Sequence, residues 1–158
     1  RGSTMPNDRL RIPQDPDYFH AVGLATIAFA RLEWGAVWCC EKLQPGYIQT
    51  IERRKKTAGR IAEDTKRLFS RVADPDLRAR IAPLAEEFSA VVLERNKLFH
   101  GNPGTAPNGD QRLFRQGFEW TVAAVDAFSD RCLLAELPLN ALLHGELGVP
   151  GGIALIDE

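Results

Sequence analysis

Long stretches of this sequence repeat apolar residues every three or four positions, and Pro or Gly interrupt them at only a few points. Such spacing places the apolar side chains on one face of a helix, whereas a half-buried strand would show them at every second residue. The main interruptions are Pro45-Gly46, Asp74-Pro75-Asp76 and the Gly- and Pro-rich segment 101–109. The pattern predicts an all-α fold, namely an antiparallel bundle of four to five helices.

Capping residues and helix breakers predict where these helices begin and end. Asp15 or Asp17 is suited to cap the first helix, which should end near Lys42, just before Pro45-Gly46. Segment 101–109 is expected to be a loop, and residues 111–116 a short extended arm. The other helices are predicted over about 47–72, from the turn at 74–76 to about 99, and over about 118–136, with a short helical piece from Pro138 to Leu143.

The 158 residues are the length of one domain, and the composition divides them into three parts. Residues 1–16 are interpreted as a tag remnant, Arg1–Thr4, followed by an N-terminal arm. Residues 17–143 form the helical bundle. Residues 144–158, which are rich in Gly and Pro, are expected to be a loose C-terminal tail.

Charge and cysteine content argue against several classes of protein. Lys plus Arg number 20 and Asp plus Glu 21, so the chain is not a broadly basic nucleic-acid coat, although a local basic patch remains open. Three cysteines, of which Cys39 and Cys40 are adjacent, do not form a disulfide pattern, and a reduced, cytoplasmic setting is expected. The longest apolar stretch, Ala21–Ala30, is too short to span a bilayer, so no membrane partner is expected.

The sequence contains no pattern typical of a metal or cofactor site. His20 and His144 stand alone, without neighbouring ligand residues. Segment 102–109 contains glycines but lacks the spacing and the Lys-Ser/Thr pair of a phosphate-binding loop. We therefore expect neither a metal nor a cofactor.

Two charged residues occupy positions that the helical pattern reserves for apolar side chains. On the predicted third helix Arg95 lies in the apolar stripe between Val91 and Leu98, and on the first helix Glu33 interrupts the equivalent stripe. A buried, unpaired charge costs several kcal/mol. The two residues are therefore predicted to form one partly buried pair. The alternative is that each side chain reaches water at the edge of the bundle.

The first helix carries a second apolar face, formed by Leu24, Ile27, Trp34 and Trp38. A helix that is apolar on two sides lies either in the centre of a bundle or at an interface. In a domain of four or five helices this face predicts a homodimer interface.

Arg95 and Asn96, followed by His100 and Gly101 at the predicted end of the third helix, resemble the motif of the HEPN superfamily of small helical proteins. Many members of that superfamily are metal-independent ribonucleases and toxins. Segment 29–34, with Glu33, is also similar to the first-helix segment of such proteins, which often carries an acidic residue. The resemblance covers about residues 17–143, which would then be a HEPN-like bundle.

The resemblance implies a homodimeric endoribonuclease, a toxin or defence effector, with RNA as substrate and an antitoxin or regulatory protein as a further partner. His100 would transfer protons, because histidine changes charge near neutral pH. Arg95 would bind the phosphate, Asn96 would orient the imidazole, and Glu33 would hold Arg95. Two alternatives stay open. In one, His100 only caps a helix C-terminus, and in the other the domain is a non-catalytic module that binds RNA or a protein.

Basic residues that could contact RNA lie in two places. One is the dense cluster from Arg53 to Arg60, and the other lies near the motif. The alternative for the first is a solvated helix face. The candidate RNA-binding residues are Arg53, Arg54, Lys55, Lys56, Arg60, Lys97, Arg112 and Arg115.

Overall fold

The computed structural model describes residue 12 and residues 15–158. Over this part the chain is 68% helical, with five α-helices and one three-stranded antiparallel sheet. The predicted helical fold is confirmed, but the purely all-α class is wrong because of the sheet. The predicted tag remnant and nearly all of the arm lie outside the described residues. The elements are α1 (Pro16–Leu43), α2 (Tyr47–Arg53), α3 (Ala58–Ser70), α4 (Pro75–Phe99), β1 (Asn102–Thr105), β2 (Gln111–Arg115), β3 (Phe118–Trp120), α5 (Val122–His144) and a 3-10 helix (Glu146–Gly148).

Helix α1 is the central element of the fold. Asp15 caps it by accepting a hydrogen bond from the Tyr18 amide, and Pro16 occupies the first turn, where no amide donor is needed. One side of α1 packs against α3 and α4, and its longest contact is with α5. Leu32 and Ala36 on its buried side are fully enclosed. The first predicted helix therefore forms where its pattern indicates.

The second predicted helix is broken into two, so its expected continuity over 47–72 is wrong. Helix α2 ends at Arg53, and Lys55 adopts a left-handed backbone conformation with φ of 49°. Thr57 then begins α3 by accepting a hydrogen bond from the Arg60 amide. Residues 52–56 all favour helix, so their propensity gives no sign of the break.

The region after α4 forms a sheet instead of the predicted loop and the start of the fourth helix. Strand β2 pairs with β1 and β3, with Gly104 opposite Arg112 and Arg115 opposite Phe118. The β2–β3 turn places Gln116 and Gly117 at φ of 52° and 78°. Two successive residues with positive φ form the tight turn whose twist matches a hairpin.

Helix α5 runs without interruption through Pro138, although a break was predicted there. Thr121 caps it by accepting a hydrogen bond from the Ala124 amide, so the helix begins at Val122, four residues later than predicted from Phe118. The proline removes a hydrogen bond to the carbonyl of Leu134, which lies on the exposed side of the helix. Water can satisfy that carbonyl, so the helix continues.

The segment after α5 packs against the bundle and is not the loose tail that was predicted. The 3-10 helix buries Leu147 in the core. Further along, Leu155 forms an isolated bridge with Val72, and the Ala73 amide donates to the Ala154 carbonyl at 2.9 Å. These backbone bonds fasten the end of the chain to the turn between α3 and α4.

Helix α1 is long and apolar enough to cross a membrane, by length and composition alone. Over an 18-residue window its mean hydropathy is 1.2, and 39% of that window is buried inside the bundle. The central helix of a folded domain has the same properties, since it must be apolar on more than one side. The contacts of α1 with α3, α4 and α5 fit that role.

Candidate functional site

The predicted motif lies where α4 ends and the sheet begins. His100 is the C-terminal capping residue of α4, and its amide donates to the Asn96 carbonyl at 3.0 Å. The His100 side chain is exposed and has no hydrogen-bond partner within residues 15–158. Because Asn96 and Lys97 precede it by four and three positions, His100 lies beside both of them on the helix surface. Its imidazole is thus accessible to a ligand.

Arg95 is held by aromatic rings and by its neighbour in sequence. Its guanidinium carbon lies 5.2 Å from the centre of the Phe29 ring and 4.9 Å from that of Phe99. Its Nη1 donates to the Asn96 side-chain oxygen at 3.0 Å, and its buried Nε has no partner within the described part of the chain. Cation–π contacts fix the planar group without neutralising its charge. A half-buried cation that is held in place and not neutralised is suited to attract an anion.

Glu33 does not form the ion pair with Arg95 that the sequence predicts. No oxygen of its carboxylate lies within 4.0 Å of a basic nitrogen of any described residue. Burial raises the pKa of Glu33, and the attraction of Arg95 only partly opposes this. The two stripes do bring the charges to neighbouring helices, but Phe29 and Phe99 take up the guanidinium. Glu33 therefore acts on Arg95 through its field and not through a direct bond.

Arg115 lies at the motif, as the sequence suggested. Its Nη1 donates to the His100 carbonyl at 3.3 Å, and its side chain is exposed. The sheet approaches the end of α4 closely at Gly101, where an added Cβ would lie 3.0 Å from both Leu113 Cβ and the Leu98 carbonyl oxygen. The glycine thus permits the contact that places Arg115 beside His100. Lys97, on the last turn of α4, is exposed and belongs to the same surface.

Arg112 is engaged elsewhere and does not join the motif. It forms ion pairs with Asp15 at 2.7 Å and Asp110 at 3.1 Å, and its guanidinium lies over the ring of Tyr18. Residues three apart in a strand point to opposite faces of the sheet, so Arg112 and Arg115 cannot serve one site. Arg112 is therefore wrong as an RNA-binding residue of the motif. Residues 111–116 were predicted only as a short arm, which does not assign Arg112 and Arg115 to different faces of a sheet.

The basic cluster is divided by the break between α2 and α3. Lys56 turns inward, donates to Asp64 at 2.8 Å and lies 4.2 Å from the centre of the Tyr47 ring, so it is a structural residue and not an exposed RNA contact. Arg60 is exposed but pairs with Glu63 and Asp64. The described structure shows no side-chain partner for Arg53, Arg54 and Lys55, which are exposed. No described contact joins this cluster to the motif.

The sequence did not reveal a groove of about 460 Å³ between α4, the β2–β3 hairpin and α5. Lys97 and Arg115 line it together with Phe118 and Trp120. It adjoins the motif, because Arg115 contacts His100. The sequence contained little sign of it, because in residues 111–115 the two apolar residues, Leu113 and Phe114, are adjacent and do not alternate with polar ones, so the segment was predicted only as a short arm.

A second groove, of about 690 Å³, lies between α1 and α5. Trp34 and Trp38 line it and remain 45% and 48% exposed. Leu133 and Leu137 on α5 are exposed as well. The second apolar face of α1 is therefore unburied, and its neighbour within the chain is α5.

The arrangement at the end of α4 combines an accessible imidazole, a fixed guanidinium and two further cations. Such a set can transfer a proton and stabilise negative charge on a phosphate. The described residues hold no group of three or more His, Cys, Asp or Glu side chains that could bind a metal ion. The three cysteines are free, and burial raises the pKa of each thiol to about 12.

No family model, no curated protein and no solved structure matches this chain. The functional conclusion therefore depends on the residues described above and on the motif resemblance.

Proposed function

We propose that this protein is a metal-independent endoribonuclease of the HEPN type. The observation that carries the proposal is the end of α4. There Arg95, held between Phe29 and Phe99, is bonded to Asn96, and His100 is accessible and unpartnered within the described residues. A histidine that merely capped the helix C-terminus would donate to the last carbonyls, and no such bond is present among residues 15–158.

The reaction that suits these groups is attack on phosphorus by the neighbouring 2′-OH of RNA. His100 accepts the 2′-OH proton while the O2′–P bond forms and the P–O5′ bond breaks. Arg95 and Arg115 stabilise the charge that develops on the phosphate oxygens. The leaving 5′-oxygen takes up a proton, so the products are a 2′,3′-cyclic phosphate and a 5′-OH. Asn96 restrains Arg95 and thereby acts as a positioning residue.

In the homodimer that the resemblance implies, His100 of the partner subunit supplies that last proton. The exposed apolar face of α1 supports dimer formation, since large exposed apolar patches commonly mark interfaces. The same resemblance extends the proposal to a cytoplasmic toxin or defence effector with an antitoxin or regulatory partner. Growth arrest on expression, relieved by His100→Ala, would test that extension.

Incubation of the protein with total RNA in the presence of EDTA tests the activity. We expect cleavage of RNA but not of DNA, undiminished by the chelator, with a 2′,3′-cyclic phosphate at each new 3′ end. His100→Ala and Arg95→Ala should each reduce the rate at least about a hundredfold, the usual size of a proton-transfer or charge-stabilising effect. Lys66→Ala, which removes an exposed cation on α3, is the matched control and should cleave normally.

Two outcomes would remove this mechanism. One is cleavage that survives His100→Ala, and the other is cleavage of a substrate whose 2′-OH at the cut position is replaced by hydrogen. A dependence on Mg²⁺ would argue against metal-independent cleavage.

A second candidate function is a non-catalytic module that binds RNA or a partner protein. It is favoured by Arg53, Arg54 and Lys55, which are exposed and make no side-chain contact within the described part. Each such residue on a phosphate backbone makes binding more sensitive to salt. RNA binding without cleavage, lost when the three residues are replaced by Ala, would favour this function over the first.

A further inference from the structure

The groove between α4, the β2–β3 hairpin and α5 combines basic and aromatic side chains next to the candidate motif. Its volume of about 460 Å³ lies within the range of small-molecule sites. It begins beside Lys97, one helical turn before His100, and Arg115 forms part of its wall. A ligand in it would therefore lie against Arg115, whose guanidinium donates to the His100 carbonyl.

Two of the three cations in this groove are available to an anion. Arg131 is held by hydrogen bonds to Glu87 and Glu94, so its charge is compensated. Lys97 has no ion-pair partner among residues 15–158, and Arg115 uses only one nitrogen, on a backbone carbonyl. The positive charge is thus concentrated at the end of the groove nearest His100.

Aromatic side chains lie beside these cations, because Arg115 pairs with Phe118 across the hairpin. Phe118 at the hairpin is 53% exposed and lies edge-on to the buried Trp120, with 5.2 Å between the ring centres. An exposed aromatic face beside free cations is the arrangement that proteins use to bind single-stranded nucleic acid. Trp120 also lines the groove, and its indole Nε1 is buried and has no acceptor within the described residues.

We propose that this groove binds one nucleotide of the RNA, the one next to the cleaved bond. Phe118 stacks on the base, and Lys97 and Arg115 bind its phosphate. This assignment rests on the proposed ribonuclease function and adds to it the position at which a base is held. It makes Phe118 a substrate-binding residue that no part of the motif includes.

Titration with mononucleotides tests the site without requiring cleavage, because a mononucleotide lacks the phosphodiester bond between two nucleotides that the proposed reaction breaks. The probes are adenosine 3′-monophosphate and uridine 3′-monophosphate, and the readout is the NMR signal of each tryptophan indole N–H. Trp120→Phe identifies the Trp120 signal, and Trp34 and Trp38 in the other groove serve as internal references. We expect at least one probe to move the Trp120 signal selectively, and ribose 5-phosphate, which lacks a base, to bind at least tenfold more weakly.

Matched variants separate the base contact from the phosphate contact. Phe118→Leu keeps an exposed apolar side chain but removes the aromatic face, and should weaken binding about tenfold. Lys97→Ala with Arg115→Ala should also weaken it, whereas Lys66→Ala should not. The proposal is overturned if neither probe moves the Trp120 signal, if all three tryptophans move equally, or if Phe118→Leu binds as tightly as the parent protein. Selective binding together with the absence of RNA cleavage would overturn the ribonuclease function and leave the nucleotide site in place.

Discussion

Glu33 and Arg95 lie on neighbouring helices, yet their charges are treated differently by the surrounding side chains. The Arg95 guanidinium packs against the rings of Phe29 and Phe99 and donates a hydrogen bond to the side-chain oxygen of Asn96. Glu33 gains no direct cationic partner within the described residues, and burial raises its pKa. Desolvation of a carboxylate without a close partner is unfavourable. The acidic residue therefore opposes folding in its charged form.

Glu33→Gln should consequently raise the stability of the fold at pH 7. A carboxyl group whose pKa is higher in the folded state binds more protons there than in the unfolded state, so the parent protein loses stability as pH rises above about 4. The free energy of unfolding of the variant does not fall in this way, so the difference between variant and parent should grow between pH 4 and pH 7. Urea unfolding of both proteins at the two pH values measures the difference. A variant less stable than the parent at pH 7 would instead indicate a direct ion pair.

Asp64 shows the opposite balance at another buried position. Burial raises its pKa, but hydrogen bonds from Lys56 and from the Tyr47 hydroxyl outweigh that effect and leave the pKa below its usual value. The side chains of Asp64 and Lys56 are only 3% and 7% exposed. This pair fastens the turn between α2 and α3 to the body of α3.

Asp64→Asn should destabilise the protein by about 3 kcal/mol at pH 7, because it leaves the Lys56 charge buried without its partner. Since the pKa of Asp64 is lowered, its contribution is present above about pH 4 and disappears as pH falls through the folded-state pKa. The difference in free energy of unfolding between variant and parent should then become smaller in acid. Glu63→Gln is the matched control: its carboxylate is 73% exposed, and its loss should change stability by less than about 0.5 kcal/mol. Equal effects of the two substitutions in chemical unfolding would contradict this account.

Among the secondary-structure elements, the helices were largely predictable and the sheet was not. The stripes of α1 and α4 extend over enough turns to identify both helices and to place Arg95 at a half-buried position. Strands of three to five residues are too short for a period of two to stand out. The break before α3 has a tertiary cause, the inward Lys56, which helix propensity does not reflect. His100 was found because it follows the predicted helix α4. The groove beside it was not found, because its wall is the β2–β3 hairpin, which the sequence did not predict.

Gly101 connects α4 to the sheet and sets how closely the two approach. Gly101→Ala should destabilise the fold by about 1–2 kcal/mol, because the new methyl group would meet Leu113 and a backbone carbonyl at 3.0 Å. It should also lower any RNA cleavage by shifting Arg115 away from His100. Gly23→Ala in α1 is the contrasting control, since no atom lies within 4 Å of its added Cβ. That substitution should stabilise the helix by about 0.5–1 kcal/mol, and thermal unfolding compares the two. Identical effects would show that the approach at Gly101 is not tight.

At the scale of the whole molecule, the helical packing leaves one broad apolar surface uncovered. Leu24, Ile27, Trp34 and Trp38 on α1 are all between 45% and 63% exposed, and Leu133 and Leu137 extend the patch onto α5. On α4, by contrast, Leu93 is the one large apolar residue that is exposed within the described part of the chain, and it lines the groove beside the motif. The α1–α5 surface is thus the better candidate for contact with a second copy.

Sedimentation at micromolar concentration should give twice the chain mass of 17.6 kDa. Trp38→Glu should convert the protein to a monomer, because it replaces an exposed aromatic surface by a charge that would have to be desolvated in the interface. Leu134→Glu places the same charge at an exposed position on the other flank of α5 and should leave the dimer intact. A parent protein that sediments as a monomer would contradict the proposed interface.

The pairing of α1 with α5 also affects how the chain reaches its native state during synthesis. Cys39 contacts the Leu139 carbonyl 100 residues further along the sequence, so α1 stays without its main packing partner until α5 has been made. At about 5–20 residues per second, translation of the intervening segment takes on the order of 5–20 s. Throughout that time the side of α1 that packs on α5 in the native fold has no partner, and this helix is apolar enough to cross a membrane by length and composition. The nascent chain is thus most prone to aggregate, and most in need of a chaperone, before the last helix leaves the ribosome.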